Sequence, residues 1–191
     1  MKTLIINGSP RKNGDTQALI DAFCQGVAGE VRILSEKDNI SPCTDCRRCW
    51  KTPGCSMGDG MQEIYEYLSD CDTVVLASPV WFSSLSGVAL NIGSRIQMYF
   101  AGKFFRKEPS PFAAKPKNGV ILLCGAQPGT ETAPIGNAKT ILRLAGVTND
   151  RMTVHTSMNT DRIPAKDDAA TLQSIRKTAE RLNAEAENCQ L

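Results

Sequence analysis

Short apolar runs alternate with longer amphipathic segments along this chain, and that rhythm limits the fold more than any single motif. Thr3 to Ile6, Val31 to Leu34, Asp72 to Ala77, Val120 to Leu123 and Val147 to Thr156 read as strands. Most lack the polar alternation of a half-exposed sheet, so burial on both faces is expected. Between them lie helical patterns. Asp15 to about Ala28 places Leu19, Ile20, Phe23 and Val27 on one face. Asp59 with Gln62 resembles a capping box that opens a helix carrying Met61, Ile64, Tyr65 and Leu68. Further helices are predicted over Gly87 to Tyr99 and Thr132 to Ala145. The last, from about Asp167, repeats Leu172, Ile175, Ala179, Leu182 and Ala186, with Asp167 and Asp168 at its positive end.

Strand and helix thus alternate five times. Parallel strands need crossovers, and crossovers of this length are helices packed on both faces of an open sheet. The expected fold is α/β: a flavodoxin-like three-layer α/β/α sandwich around a five-stranded parallel sheet of order 2-1-3-4-5. The 191 residues read as a single domain, 1–191, with a cysteine-rich loop at about 36–58. A net charge of +2 argues against a dedicated nucleic-acid binder. No run approaches the ~18 apolar residues of a membrane span. The apolar segment after Lys2 stops at Asn7, too short for a signal peptide, so a cytoplasmic protein is expected.

In such sheets ligands sit beyond the carboxyl ends of the strands, where the strand order reverses. The first loop there reads N7-G8-S9-P10-R11-K12-N13-G14-D15-T16. A helix N-terminus presents unpaired N–H groups and about half a positive charge, which together favour an anion. Ser9 and Thr16 add hydroxyls, Asn13 an amide and Arg11 a planar cationic fork, while Gly14 permits close backbone approach. This is a phosphate site in composition, although neither a P-loop nor a G-x-G-x-x-G fingerprint occurs. Asp15 reads as a helix cap rather than a ligand, since a carboxylate repels phosphate. The third strand ends S78-P79-V80-W81-F82-S83-S84, next to the first loop in this topology. A flat apolar ring would rest against Trp81 or Phe82; the alternative is that both cap the core. The two loops together suggest a phosphate joined to an aromatic ring system.

The pattern G8-S9-P10-R11…T16, the segment P42-C43-x-x-C46-x-x-C49, the D59-x-M61 helix start and S78-P79-V80-W81-F82 resemble the NAD(P)H-dependent FMN reductase family. More narrowly, they resemble its iron–sulfur flavoprotein-like branch, over roughly the first hundred residues. The resemblance implies FMN, with its phosphate on Ser9, Arg11, Asn13 and Thr16 and its ring against Pro79, Val80, Trp81, Phe82 and Ser83. Cys124 and Gly125, with Ala126, would complete the ring pocket. Relatives carry a lysine and an Asp-Arg pair on the helix after the flavin loop; here Asn91…Ser94-Arg95 keeps only the arginine. The implied activity is that of an FMN-dependent NAD(P)H oxidoreductase reducing a small acceptor: a quinone, a flavin or a nitro compound. Flavin carries the hydride and electron chemistry, so no side-chain acid or base is nominated. His155, the only histidine, reads as structural. Flavin pockets in such relatives are often completed by a second chain, which implies a homodimer or higher homo-oligomer.

Eight cysteines would suggest disulfides in a secreted protein, but a reducing compartment keeps thiols free, and clustering there suggests metal or redox chemistry. Cys24, Cys71, Cys124 and Cys189 are dispersed and read as small hydrophobes. Cys43, Cys46, Cys49 and Cys55 follow C-x2-C-x2-C-x5-C, a set of thiolates able to hold a [4Fe–4S] cluster. Arg47 and Arg48 would offset its charge, or equally activate a thiol. Zinc, a disulfide and no metal at all remain alternatives on spacing alone. With a cluster, the chain would serve as an electron carrier between a protein donor such as ferredoxin, the cluster and FMN. Finally, Gly102 to Gly119 holds Lys103, Arg106, Lys107, Lys115 and Lys117 among three prolines. It reads as a solvated loop or as a basic lid for the 2′-phosphate of NADPH, with Phe104 and Phe105 available for docking.

Overall fold

The computed structural model describes residues 1–188, so Cys189 lies outside the described residues. In chain order the first half comprises β1 (Lys2–Asn7), α1 (Asp15–Gly26), β2 (Glu30–Leu34), the short α2 (Arg48–Lys51), α3 (Met61–Asp70), β3 (Thr73–Trp81) and β4 (Ser84–Leu85). The second half comprises α4 (Gly87–Arg95), α5 (Gln97–Phe104), β5 (Lys117–Gly125), α6 (Thr132–Leu144), β6 (Val147–Met158) and α7 (Ala169–Asn188). The long strands pair in parallel in the order β2-β1-β3-β5-β6, with β4 folded back antiparallel on β3. Leaving aside that two-residue sixth strand, the order is the expected 2-1-3-4-5.

Strand alternation sorts the core into two layers. Leu4, Ile6, Val74, Leu76, Ile121 and Leu123 face α3, α4 and α6. Ile5, Val75, Ala77, Val120 and Leu122 face α1 and α7. Each strand is therefore apolar at successive positions because both of its faces meet helices. The α1–α7 contact is close: a Cβ on Gly26 would stand 2.6 Å from the Arg176 carbonyl oxygen.

Several boundaries differ from the sequence reading. No reciprocal capping box opens α3. Asp59 Oδ1 does accept the Met61 N–H at 3.2 Å, but the Gln62 side chain turns away to the carbonyls of Cys55 and Met57. The reciprocal box belongs instead to Ser35 and Asp38, around a 3-10 turn. Asp15 caps nothing on α1. The N-cap is Gly14, and Asp15 Oδ1 receives the Ala165 N–H at 2.8 Å, tying the approach to α7 onto α1. The helix expected over Gly87 to Tyr99 is broken at Ile96, whose N–H is shared between the carbonyls of Gly93 and Ser94. The long basic loop is also shorter, because α5 reaches Phe104 and β5 begins at Lys117. Lys117 is fully buried, donating to the Cys71 carbonyl at 2.9 Å with its ammonium over the Phe112 ring. Arg106 pairs with Glu108 and also donates to the Cys49 carbonyl, while Lys115 pairs with Asp72 at 2.8 Å. No helix among the described residues is long and apolar enough to cross a membrane.

Candidate functional site

Two loops are stitched together at the carboxyl edge of the sheet. The Gly8 N–H donates to the Ala77 carbonyl at 2.7 Å, and Ser86 Oγ donates to the Gly8 carbonyl at 2.6 Å. Ser86 is also the N-cap of α4, accepting from the Ala89 N–H, and its own N–H is held by Ser78 Oγ. Glycine is needed at position 8, since a Cβ would lie 2.8 Å from both Ala89 Cβ and Ser86 Oγ. This seam places the first loop directly against the end of β3.

The first loop is shaped by Asn7, which the sequence reading did not single out. Its Oδ1 accepts the Ser9 N–H at 2.9 Å, an Asx turn of the kind Asn-Gly announces. Ser9 Oγ in turn accepts the Arg11 N–H at 3.2 Å. Arg11 and Asn13 border a cavity of ≈ 430 Å³ with Gly14, Gln17 and Lys166. No side chain caps the start of α1, so its amide end is available to an anion. Thr16 is buried, and its hydroxyl meets Cys124 Sγ at 3.2 Å. Burial pushes the Cys124 thiol up to about 11 against the opposing Thr16 contact, which keeps it neutral at ordinary pH. Cys124 and Gly125 lie beside Pro79 and Val80: Cys124 is in register with Pro79, and a Cβ on Gly125 would meet Val80 Cβ at 3.2 Å.

Beyond Pro79, β3 continues to Trp81 and turns back through Phe82 and Ser83 into β4. Trp81 is 45% exposed and Phe82 fully exposed, so neither caps the core. Both turn residues are left-handed, Phe82 at φ 52° and Ser83 at φ 54°, the pattern of a type I′ hairpin. The arrangement thus unites an uncapped helix end, a cationic fork and hydroxyls with an exposed aromatic hairpin. These groups fit a phosphate-bearing aromatic cofactor. Another cavity, ≈ 760 Å³, lies elsewhere, between α5, α6 and the 105–116 loop, and holds none of these groups.

The cysteine loop is organised from the other end of α4. Cys43, Cys46, Cys49 and Cys55 line one cavity of ≈ 30 Å³ together with Arg95 and Trp50. All the described cysteines are free thiols. Among the described residues no three metal-ligating side chains are gathered around a single-ion site. A lone zinc would need its four ligands on one point at about 2.3 Å, whereas a cluster spreads its cysteines over several iron atoms. Desolvation and the neighbouring Cys43 and Cys46 raise the Cys49 thiol, while the Ser56 hydroxyl lowers Cys46.

Arg95, which the sequence reading left without a partner, is fully buried and paired with Asp59 at 2.5 Å and 3.0 Å. It also donates to the Ser41 carbonyl at 3.0 Å and to Cys55 Sγ at 3.4 Å, and the Cys43 N–H donates to Ser94 Oγ. The Arg95 hydrogen bond holds the Asp59 carboxyl below its ordinary range. Within the loop, Trp50 stacks on Phe105 of the following segment, with ring centroids 3.9 Å apart. His155 is half-buried in β6 against the Thr178 hydroxyl at 3.0 Å.

An open parallel sheet of order β2-β1-β3-β5-β6, with helices on both faces, defines the class as flavodoxin-like. A family model described as NADPH-dependent FMN reductase matches residues 1–133, and the chain belongs to that family. It is 26% identical over 188 residues to an iron-sulfur flavoprotein of Methanosarcina thermophila, covering 95% of this chain and 93% of that protein. An iron-sulfur flavoprotein of Archaeoglobus fulgidus is 32% identical over 108 residues, 54% of this chain and 53% of its own length. A counterpart from Methanocaldococcus jannaschii is matched over 47% of its length, so the chain spans about half of these two relatives. In fold it is similar to an NAD(P)H:quinone oxidoreductase from Methanothermobacter marburgensis, at TM-score 0.71 and 15% identity over 95% and 96% of the two chains.

Proposed function

We propose that this chain is an FMN-dependent NAD(P)H oxidoreductase that passes hydride or electrons to a small acceptor, such as a quinone, a flavin or a nitro compound. The observation that carries the reading is the seam of Gly8 with Ala77 and Ser86, which sets the anion-binding turn beside the aromatic hairpin. Ser9, Arg11, Asn13 and Thr16 take the phosphate. Pro79, Val80, Trp81, Phe82 and Ser83 flank the ring, with Cys124 and Gly125 beneath. Bound FMN supplies the hydride and one-electron chemistry. The chain orients the ring, and its backbone amides offer donors to the negative charge that reduction places on the ring. The family model and the name of the quinone oxidoreductase support this class of reaction. The exposed Phe82, Phe104 and Phe105 favour a homodimer or higher homo-oligomer of a single-domain chain.

The protein purified with added FMN is expected to show oxidised-flavin absorbance that bleaches on mixing with NADPH in a stopped-flow instrument. Failure to bind FMN overturns the reading.

A second reading is favoured by the gathering of four thiols and one buried arginine on a single cavity. Cys43, Cys46, Cys49 and Cys55 hold a [4Fe–4S] cluster, and the chain relays electrons between a protein donor such as ferredoxin, the cluster and FMN. The names of the curated relatives support it. Helix α4 links the two sites, its N-cap Ser86 on the flavin loops and Arg95 on the thiols. At 1.5 Å per residue its length is about 13 Å. Iron and sulfide analysis of protein purified without oxygen decides: stoichiometric amounts are expected, and their absence excludes the cluster.

A further inference from the structure

We infer that Arg95 is a positioning residue for the cysteine site, acting through Cys55 to set how readily that site accepts an electron. The inference rests on the cluster reading above and goes beyond it to the control of that site. Arg95 is the largest fully buried side chain in the molecule's described part, and its side chain has no exposure. Such a charge is held in place only by good partners. Asp59 takes both arms of the guanidinium, one of which also donates to the carbonyl of Ser41, just before the first cysteines. The other arm donates to Cys55 Sγ. The last donor, Nε, is buried and without a partner.

An asymmetry in charge makes the site tunable. Ion pairing with Asp59 offsets the arginine's charge, but only the arginine reaches a sulfur. One-electron reduction, with the electron supplied by reduced flavin, adds one negative charge and no proton to whatever the thiolates hold. Donors to cysteine sulfur and nearby positive charge stabilise that added charge and raise the potential. Ser94, the residue before Arg95, accepts the Cys43 N–H at 2.9 Å, so the end of α4 holds both Cys43 and Cys55.

Two substitutions with opposite expected signs test this in the iron-loaded, FMN-bound protein, read by redox titration with EPR detection. Asp59→Asn keeps Arg95 and removes the offsetting negative charge, so the equilibrium constant for one-electron reduction of the cysteine site should rise. Arg95→Lys keeps a positive charge but loses the fork that reaches Cys55. It should lower that constant about tenfold, a shift of about 59 mV for one electron. The flavin potential serves as the internal control and should stay constant. A merely structural Arg95 would lower iron content in both variants while leaving the potential of the loaded fraction unchanged, and that result overturns the inference. So do shifts of one sign in both. If Arg95→Lys does not fold, the sign for Asp59→Asn still decides. Wild-type protein that takes up no iron or sulfide removes the cluster reading itself, and this inference with it. Loaded protein with immobile potentials removes the inference alone.

Discussion

Phe82 occupies a backbone conformation that side chains resist. Type I′ turns take Asn-Gly or similar pairs because both central residues have positive φ, yet here Phe82 and Ser83 fill them. The left-handed region costs a non-glycine residue about 1–2 kcal/mol, and full exposure of the ring gives no core burial in return. Strain retained in this way points to a ligand contact. Phe82→Gly should therefore raise the thermal midpoint of the flavin-free protein, by about 1 kcal/mol in stability, while weakening FMN binding. Differential scanning calorimetry and flavin fluorescence titration measure the two effects; an unchanged FMN affinity would count against the ring contact, and a lowered midpoint against the strain. Thr16 makes a separate test. Thr16→Val keeps its shape but removes the hydroxyl that meets Cys124 Sγ. Affinity for FMN should drop by about 1 kcal/mol, roughly fivefold, and an unchanged dissociation constant would remove Thr16 from the phosphate site.

At the scale of elements, the helices are set by what they pack against. Gly26 closes α1 where the backbone of α7 passes, with the Arg176 carbonyl 2.6 Å from a would-be Cβ. Gly26→Ala gains helix propensity but must push two helices apart, so it should cost about 1–3 kcal/mol. Urea unfolding with an unchanged m-value would report that loss, and a stabilised variant would contradict the packing. Helix α4 shows a different constraint. Its apolar pattern continues past Arg95, which is why one helix over Gly87 to Tyr99 is the natural reading. The break at Ile96 comes where Ser94 and Arg95 are engaged by Cys43, Ser41, Cys55 and Asp59, partners distant in sequence. Strand β3 likewise runs past Pro79, because a proline near a strand end is tolerated where the ladder is giving way to a hairpin.

For the whole molecule, acid is the expected weakness. Burial holds His155 below its ordinary 6.5, so the unfolded chain takes a proton first and stability falls as pH drops through about that value. Asp59, held down by Arg95, adds a second loss. Asp168 is also held down, by the Thr171 and Ser157 contacts, which outweigh desolvation. These carboxylates stabilise the fold above their ordinary 3.8 and lose that contribution as pH falls below it. Thermal midpoints measured between pH 8 and 3 should decline in two stages, and His155→Gln should abolish the first. A single transition in the wild type would contradict the assignment.

The sheet and the make-up of its first loop were legible because the signals are local. An apolar run without alternation means burial on two sides, and Gly8 through Thr16 bears its hydroxyls, amide and charge within one turn. Asn7, the Asx residue that shapes that turn, could have been found from its place before a glycine. Arg95 and Asp59 could not, since 36 residues separate them and nothing in either neighbourhood records the other. The same holds for Thr16 with Cys124, 108 residues apart, and for Lys117, whose basic, proline-rich surroundings read as solvated. Periodicity therefore determined the layers and the strand order, and turn chemistry is what proposes the first loop as a phosphate site. Only the tertiary structure decided which buried charges find partners. An ion pair depends on two side chains meeting through space, and the chain brings them together only when the sheet closes.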